Sequence, residues 1–448
     1  MRNFNTCLVL LVSSLMFLFI SGCGGNADAP AAETSAAGGT AEAQTVVPDG
    51  VTELILWAHW TGENRNAFLE IIALYNETEG RDNNLYVTVE HVEDENMEMM
   101  MRLMAARLAD TMPDIVHVAQ MSFVAMVQNG LFAVPPQSVQ DYVRTNYFDA
   151  NAGLTFMDGV YWGYPTEHQV MSLFWNRDHF EEEGLSGPPR TWDQLREYAY
   201  RLTRRSANGE MERAGFIFPF GFDEAIMTQH ISMFWGAGLD LFPTETTTNL
   251  NSDVGRQLNS LFAGMAEDGS TNAGWLVWGD ALNNGLGSMV MMDPWALNFY
   301  IRQQGIEGLS EAIHVAELPT PTGTPGPSMS RGFTFAVPVG SQYIDESWDF
   351  LKWLNEGPEN RMMDFMVNRF EFLPSHRDFE FPSVWSPETS DTFSRILEIS
   401  RPQPTVYDYE QVQRSIANMV VEIMLAGRDP IQAVADAEAE ILRNWEMR

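Results

Sequence analysis

The first part of the chain alternates between apolar strands and amphipathic helices. ELILWAHW (53–60) and LYVTVEHV (85–92) have the apolar positions of buried strands, and MPDIVHVAQ (112–120) forms a third. Apolar residues recur at helical spacing between the first two strands, and residues 95–109, before the third, are rich in helix formers. This β-α-β-α-β order predicts a mostly parallel, doubly wound sheet.

The remainder of the chain continues this mixture of strands and helices. Residues 159–178 read as an extended stretch rich in aromatic side chains, and Thr191 and Gln194 have the spacing of a capping box. SMVMM (288–292) and RGFTFAVPV (331–339) predict two further strands. About 400 residues follow residue 50, more than one hydrophobic core normally serves, so the sequence predicts two lobes.

The predicted topology indicates where a ligand would bind. In open α/β sheets, ligands bind beyond the carboxyl ends of the strands. In this chain those ends are HWTG (59–62) and AQMS (119–122). Position in the sheet selects these residues, whatever their chemistry.

An apolar stretch near the beginning of the chain predicts a secretory signal. Residues 8–20 are apolar but shorter than the ~20 residues of a membrane-spanning helix. The stretch ends in ISGC (20–23), which resembles a bacterial lipobox, so we expect residues 1–22 to be a signal peptide and Cys23 to be lipidated. An ordinary signal peptide with a chance cysteine is the alternative. Residues 23–50 have almost nothing to bury and predict a flexible tether.

Charge limits the classes of binding partner, and cysteine content limits the possible disulfide bonds. The formal net charge is −35, from 26 basic and 61 acidic residues, which disfavours nucleic acid and anionic lipid headgroups as partners. The only cysteine besides Cys23 is Cys7, which lies in the predicted signal peptide. We therefore expect a mature chain without disulfide bonds.

The sequence contains no familiar catalytic or metal-binding motif. It has no G-x-S-x-G elbow, no S-x-x-K, no P-loop and no H-E-x-x-H, and its eight histidines are scattered singly. We expect no metal and no cofactor. A pair of glycosidase carboxylates remains open, because such a pair is defined by its spacing in the fold. Aromatic residues beside predicted turns could instead stack on sugar rings, or simply fill the core.

Several segments, in order, resemble a known family. ELILWAHW is similar to the first strand and ligand loop of the bacterial extracellular solute-binding proteins that include maltose-binding protein. MPDIVHV followed by QNGLFAVP resembles the "PDI … GLL" segment of that family, and GLGSMVMMDPWAL resembles its "F-x-x-G-x-A-M-x-x-x-G-P-W" segment. The other similar stretches are GVYWGYPTEHQVMSLFWNRDHF, TWDQL, LPTPTG, GFTFAVP, FLPSHRD and RPQPTVYDYEQVQ. The resemblance covers nearly all of residues 51–448.

The resemblance implies a periplasmic-binding-protein-like α/β fold. Two lobes, each with a mostly parallel doubly wound sheet, would be joined by a multi-strand hinge. Lobe 1 would comprise residues 51–166 plus 336–385, and lobe 2 residues 167–335 plus 386–448. The chain would cross between them near 165–170, return near 332–336, and cross again near 380–400.

The resemblance also implies a ligand site in the cleft. Trp295 matches a stacking tryptophan of the family, and Gln169 falls where some members place a carboxylate. Asp293 replaces a common glycine and is either ligand-specific or structural. The full set of expected ligand-binding residues is His59, Trp60, Thr61, Gln120, Glu167, His168, Gln169, Trp235, Asp293, Trp295 and Tyr407. Val118, Met121 and Ser122 replace residues that bind maltose, which argues against maltose itself.

The function implied is that of a sugar receptor without a catalytic step. A monomeric, lipid-anchored receptor on the outer face of the cell membrane would deliver a carbohydrate to the permease of an ABC importer. One alternative is the same fold binding a non-sugar solute or feeding a sensor. Another is a surface glycoside hydrolase.

Overall fold

The structure is a computed structural model that describes residues 47–92, 98–271, 278–295 and 312–447. The predicted signal peptide, the lipidation site at Cys23 and most of the predicted tether lie outside these residues. Within them, no helix combines the length and apolar character needed to cross a membrane.

Short strands recur along the whole described chain. Their bounds are β1 Thr52–Ala58, β2 Leu85–His91, β3 Ile115–Ala119, β4 Phe156–Met157, β5 Val160–Tyr161, β6 Tyr164–Pro165, β7 Gln169–Val170, β8 Ser172–Asn176, β9 Arg204–Arg205, β10 Met211–Arg213, β11 Met289–Met292, β12 Ile313–Ala316, β13 Met329–Arg331, β14 Phe333–Ala336 and β15 Arg401–Pro402.

Helices fill most of the intervals between the strands. Their bounds are α1 Gly62–Glu77, α2 Glu79–Asp82, α3 Glu98–Ala109, α4 Gln120–Gln128, α5 Gln137–Asn146, α6 Asp149–Thr155, α7 Arg177–Glu182, α8 Trp192–Leu202, α9 Asp223–Gly236, α10 Asp253–Glu267, α11 Trp278–Asn283, α12 Ile344–Asn355, α13 Arg361–Asp364, α14 Pro387–Ile399, α15 Tyr409–Ala426 and α16 Pro430–Glu446. A π-helical turn, Phe365–Arg369, follows α13.

The first sheet has the order β2-β1-β3-β14-β6. Strands β2, β1 and β3 are parallel, as the β-α-β pattern predicts, and β14 runs antiparallel between β3 and β6. Alternate residues Leu54, Leu56 and Ala58 of β1 are buried. Helix α1 is amphipathic and packs Phe68 and Ile72 into the same core. We call the part built on this sheet lobe 1.

The second sheet has the order β11-β8-β12, and both neighbours run antiparallel to β8. A parallel bridge between Ile217 and Val290 extends the sheet beyond β11. Because β11 and β12 both run against β8, these two strands and the segment at Ile217 share one direction, and of these four β8 alone is reversed, as β14 is in the first sheet. We call the part built on this second sheet lobe 2.

Two segments pass between the lobes side by side. The crossing segment, 164–170, runs from β6 in the first sheet to β7, and the return segment, 329–336, runs from β13 to β14. Strands β7, β13 and β15 form a small sheet of their own, in which Arg331 lies opposite Gln169.

The hydrophobic core is divided in the same way. Buried clusters of lobe 1 draw on residues between 54 and 164 and between 335 and 370, whereas those of lobe 2 draw mainly on residues between 170 and 329 and beyond 385. Residues 372–381 contact both parts, since Phe372 and Phe379 pack with lobe 1 and Leu373 and Phe381 with lobe 2.

Candidate functional site

A chain of hydrogen bonds lies where β1 and β3 meet the crossing segment. His59 follows β1, His117 lies in β3, and their Nδ1 atoms are 3.3 Å apart. The Nε2 atom of His117 lies 2.8 Å from the hydroxyl of Thr166, and this hydroxyl lies 3.2 Å from the carbonyl oxygen of Phe333. We call His59, His117 and Thr166 the histidine relay. It links β1 and β3 to the crossing segment, through Thr166, and to the return segment, through Phe333.

The rings of the histidine relay are neutral. Burial lowers the pKa of His59 to about 3, with a smaller contribution from His91. Burial also lowers the pKa of the fully buried His117 well below its usual value, and His59 adds to this effect. The ring of His59 stacks on those of His117 and Phe333. Because charging either ring would require a poorly solvated cation, both histidines act as neutral donors and acceptors.

On the lobe 2 side of the crossing segment, a group of buried or partly buried side chains is charged or ionisable. The Nε atom of Arg331, in β13, donates to Asp293 at 2.8 Å, and its two other nitrogens contact Asp293 and Glu224. Glu167, in the crossing segment, is also buried. We call Arg331, Asp293, Glu224 and Glu167 the ionic cluster. Three carboxyl groups thus share one guanidinium, which compensates only part of their charge.

The electrostatics of the ionic cluster favour a protonated Glu167. Burial raises the pKa of Glu167 to about 8, although Arg331 and a hydrogen bond with Gln169 act in the opposite direction. Burial also raises the pKa of Asp293, whereas the direct ion pair of Asp293 with Arg331 acts to lower it. Asp293 therefore has a structural partner, which favours the structural reading of its departure from the family glycine.

Trp295 is held beside the crossing segment. Its backbone N–H donates to the side-chain oxygen of Gln169 at 3.1 Å, and its side chain is only partly buried. Its neighbours in the lobe 2 core include Phe222. A partly exposed tryptophan ring held in place through its backbone is suited to stacking.

Trp60 has a different environment from the one its position after a strand suggested. It is 6 % exposed and packs in the lobe 1 core against Phe68, Phe365 and the ring of His117. Its ring faces are thus occupied in this structure. Trp235 is similarly buried, and the guanidinium of Arg401 lies 4.3 Å from its ring centre.

The remaining predicted residues have various placements. Thr61 is exposed before α1. Gln120 is buried, with its amide nitrogen donating to Leu154 and its backbone N–H to Gly332. His168 is fully buried in the crossing segment. Tyr407 is 41 % exposed, and its carbonyl accepts a hydrogen bond from Trp445.

The structure therefore brings some of the predicted residues together and leaves others apart. Glu167, Gln169, Asp293 and Trp295 are linked through Arg331 or directly, and His59 belongs to the relay. Sequence reasoning missed four further participants, His117, Thr166, Arg331 and Glu224. A single arginine within the otherwise uncharged stretch SMSRGFTFAVP was the one available signal.

The site has no feature of a metal centre. Among the described residues, no group of three or more His, Cys, Asp or Glu is arranged to hold a metal ion. The carboxylates nearest to the crossing segment are Asp293, Glu224 and Glu167, all engaged with or close to Arg331. What the site offers chemically is a partly exposed indole, neutral imidazoles and hydrogen-bonding side chains, which suit a polar neutral ligand.

Comparison with known sequences finds a family match. The sequence model of the bacterial extracellular solute-binding proteins matches residues 61–356. A protein of Brucella abortus (strain 2308) that carries the name of a binding protein is 23% identical over 342 residues, 74% of this chain and 79% of that protein. The arabinooligosaccharide-binding protein of Halalkalibacterium halodurans is 25% identical over 159 residues, 35% of each chain.

Comparison with solved structures finds the same two-lobe fold. The sugar-binding protein MalE of Xanthomonas citri aligns with a TM-score of 0.73 at 19% identity, over 88% of this chain and 99% of that chain. The cyclic alpha-maltosyl-1,6-maltose binding protein of Arthrobacter globiformis aligns with a TM-score of 0.71, also at 19% identity, over 88% and 100%. These likenesses confirm the predicted α/β fold.

Proposed function

Because this chain belongs to the bacterial extracellular solute-binding protein family, which implies a location outside the cytoplasm, we propose that it binds a sugar or a short oligosaccharide between its lobes. One observation carries the proposal. Thr166 holds the relay that ends at His59, and Gln169 holds Trp295. These two anchoring residues are three positions apart in the crossing segment, at most about 11 Å between Cα atoms.

This arrangement supplies the two kinds of contact that a sugar uses. Trp295 offers an aromatic face for the C–H face of a ring, and His59 offers a neutral hydrogen-bonding group for a hydroxyl. One side chain is supported from lobe 2 and the other from lobe 1, so a ligand that touches both favours the closed arrangement of the lobes. The names of the relatives, arabinooligosaccharide-binding and sugar-binding, support the same ligand class.

The proposed site comprises the remaining sequence-predicted residues as well. We propose His59, Gln169 and Trp295 as direct ligand contacts, and Glu167 and Asp293 as the groups that hold the lobe 2 side in place. Thr61 and Tyr407, which are exposed, are proposed as secondary ligand contacts, and the buried Trp60, Gln120, His168 and Trp235 as residues that shape the site.

The experiment is thermal melting of the purified chain with a panel of solutes. The panel contains mono- and oligosaccharides built from arabinose, mannose and glucose, with amino acids and polyamines as controls. A ligand at a hundredfold excess over Kd stabilises the folded state by ~2.7 kcal/mol, which raises the melting temperature. A shift with one sugar class supports the proposal. A shift with an amino acid or polyamine alone would transfer the function to a non-sugar solute.

The proposed role has no catalytic step. The family consists of binding proteins, and the carboxyl groups beside the crossing segment are tied to Arg331 rather than facing each other across a free space. Incubation with oligosaccharides should leave the reducing-end content constant. Sustained release of reducing ends that a single Asp or Glu substitution abolishes would instead support the glycoside hydrolase alternative.

We further propose that the receptor is anchored and serves an importer. The lipobox-like ISGC (20–23) supports lipidation of Cys23 after removal of residues 1–22, and residues 23–50 would form the tether. Lobe 1 would comprise 51–166 plus 336–385, and lobe 2 the rest of 51–448. Cys23→Ala should move the protein from the membrane fraction to the soluble fraction, whereas unchanged fractionation would refute the anchor.

Delivery of the sugar to an ABC permease completes the proposal. A cell that lacks this chain should lose uptake of the sugar that stabilises the protein in melting experiments, and the intact gene should restore it. Normal uptake in the deletion strain, with an altered transcriptional response to the sugar, would favour the role of feeding a sensor.

A further inference from the structure

We propose that His117 and Thr166 are positioning residues that fix the ring proton of His59 on Nδ1, so that Nε2 of His59 is a hydrogen-bond acceptor for a ligand hydroxyl. Neither His117 nor Thr166 belongs to the set of residues that the family resemblance assigns to the ligand. The hydrogen-bond direction rests on the structure alone, and only its use by a ligand rests on the proposed function.

The direction of the relay follows from its last contact. Thr166 has one hydroxyl hydrogen, and its oxygen lies within hydrogen-bonding distance of two groups, His117 Nε2 at 2.8 Å and Phe333 O at 3.2 Å. A carbonyl oxygen can only accept, so the contact with Phe333 is a hydrogen bond only if Thr166 donates there. The hydroxyl must then accept from His117, which places the ring proton of His117 on Nε2.

The tautomer of His59 follows from that of His117. A neutral imidazole with its proton on Nε2 has a lone pair on Nδ1, so Nδ1 of His117 can only accept. The 3.3 Å contact between the two Nδ1 atoms is then donated by His59. In the opposite direction, Phe333 O would keep the backbone N–H of Thr166 as a donor at 3.0 Å but would face the hydroxyl oxygen as a second acceptor. Buried polar groups rarely forgo a bond that their geometry permits.

The surroundings of His59 keep this arrangement neutral. The groups that face it are the rings of Trp60, His117 and Phe333, and the titratable His91 lies near enough to act electrostatically. Among the described residues, no carboxylate faces this ring, and burial lowers the pKa of His59 to about 3. Within the described part of the chain, the hydrogen bond of His59 runs through Nδ1, which leaves the Nε2 lone pair for another donor.

The arrangement has a consequence for specificity. An acceptor at this position requires a donor from the ligand, which a sugar hydroxyl provides and an ether oxygen or a deoxy position does not. Sites that place a fixed polar group opposite a hydroxyl discriminate strongly against analogues that lack it. We therefore expect one hydroxyl of the bound sugar to be intolerant of methylation and of removal.

The direct test is the tautomeric state of His59 in the ligand-free protein. In long-range ¹H–¹⁵N spectra of histidine-labelled full chain, a neutral ring shows which nitrogen carries the proton, because protonated and bare nitrogens differ widely in ¹⁵N shift. The signals of His59 and His117 are assigned by their loss in His59→Gln and His117→Phe. We expect the proton of His59 on Nδ1 and that of His117 on Nε2. A proton on Nε2 of His59 would overturn the proposal.

Two variants test whether the neighbours impose this state. Thr166→Val keeps the shape of the side chain but removes the hydroxyl, and we expect a measurable population of the other His59 tautomer. Thr228→Val is the control, since the hydroxyl of Thr228 is also buried but bonds to Glu224 O in its own helix. An unchanged His59 spectrum in folded Thr166→Val would show that Thr166 does not position the ring. His117→Phe preserves the aromatic packing and provides the same test independently.

The ligand half of the proposal has its own readout. When a sugar from the arabinose, mannose or glucose series raises the melting temperature, its addition should shift Nε2 of His59 and leave the Nδ1 proton in place. Thr166→Val should bind that sugar about three- to tenfold more weakly, the size of one misaligned neutral hydrogen bond. Bound sugar with no change at Nε2 would refute the ligand contact. If the tautomers are as expected but no sugar binds, the relay stands and the proposed function fails.

Discussion

The lobe 1 side of the crossing segment is built from neutral rings, whereas the lobe 2 side is built from charges. The histidine relay is a series of neutral hydrogen bonds that ends at the partly exposed ring of His59. In the ionic cluster a nearly buried guanidinium holds carboxylates in place beneath Trp295 and Gln169. The histidine relay can present a neutral polar atom to a ligand at little electrostatic cost. The charged groups of the ionic cluster already pair with one another, so the cluster serves to hold neighbouring side chains in place.

This difference predicts which substitutions lower stability and which lower ligand affinity. Removing one member of a buried ion cluster leaves the others unpaired, and this costs far more than losing one neutral hydrogen bond. We therefore expect changes in the ionic cluster to affect stability first, and changes in the relay to affect the ligand first. The following experiments test this distinction, from the largest expected effect to the smallest.

Arg331→Met should destabilise the protein by about 3–5 kcal/mol, because Asp293 and Glu224 lose the guanidinium that pairs with them. Urea denaturation measures this loss. The matched control is Arg196→Met, since Arg196 donates to Asp268 at 2.7 Å in an ion pair that remains partly exposed. We expect the control to cost less than about 1 kcal/mol. Equal losses in the two variants would contradict a special role for the ionic cluster.

Glu167→Gln should change the pH dependence of stability. The pKa of Glu167 is raised from 4.5 to about 8 in the folded state, so the folded protein retains a proton that the unfolded chain releases. This difference in proton binding stabilises the folded state below pH 4.5, and the stabilisation is lost as pH rises towards 8. The free energy of unfolding then falls by at most about 1.4 kcal/mol per pH unit.

The stability of Glu167→Gln should therefore fall less between pH 5 and pH 8 than that of the unmodified protein, by about 2 kcal/mol or more. Taking the difference cancels the buried histidines, whose lowered pKa values act in the opposite direction in both proteins. Parallel stability curves over this range would show that Glu167 is ionised in the folded protein.

Trp295→Ala should weaken sugar binding by at least about 1 kcal/mol, which is about fivefold, through loss of the stacking face. Calorimetric titration with the sugar selected by melting measures the effect. Trp353→Ala is the control, because Trp353 packs against Tyr75 and Arg361 in lobe 1, away from the crossing segment. Unchanged affinity in a folded Trp295→Ala protein would remove Trp295 from the site.

The smallest expected effect is on the pH dependence of binding itself. In the Glu167→Gln background, sugar affinity should stay within about twofold between pH 5.5 and pH 8. His59 has a pKa of about 3 and remains neutral over this range, as does the buried His117 beside it. A loss of affinity below pH 6.5 that is coupled to uptake of one proton would show that His59 titrates normally.

The sequence predicted the fold better than it predicted the site. The parallel strands β1, β2 and β3 follow from apolar patterning, and the two-lobe fold follows from the family resemblance. The reversed direction of β8 does not follow from its sequence, because a strand buried on both faces looks the same in either direction. Pairing across a hinge depends on which distant segments meet, and local periodicity carries no record of that.

Individual site residues show the same limit. Trp60 and Trp295 both follow a strand, yet Trp60 fills the lobe 1 core and Trp295 remains partly exposed. His117 looked like one more scattered histidine, since its partners His59 and Thr166 are 58 and 49 residues away in the chain. Asp293 departs from the family glycine, and only the structure supplies Arg331 as the reason.

The central claim is that a sugar joins the two sides of the crossing segment and closes the lobes. Small-angle X-ray scattering of the full chain, with and without a saturating concentration of the stabilising sugar, tests it most directly. We predict that the radius of gyration decreases on binding, and that Trp295→Ala requires a higher sugar concentration for the same decrease. A sugar that binds tightly without any compaction would contradict the account.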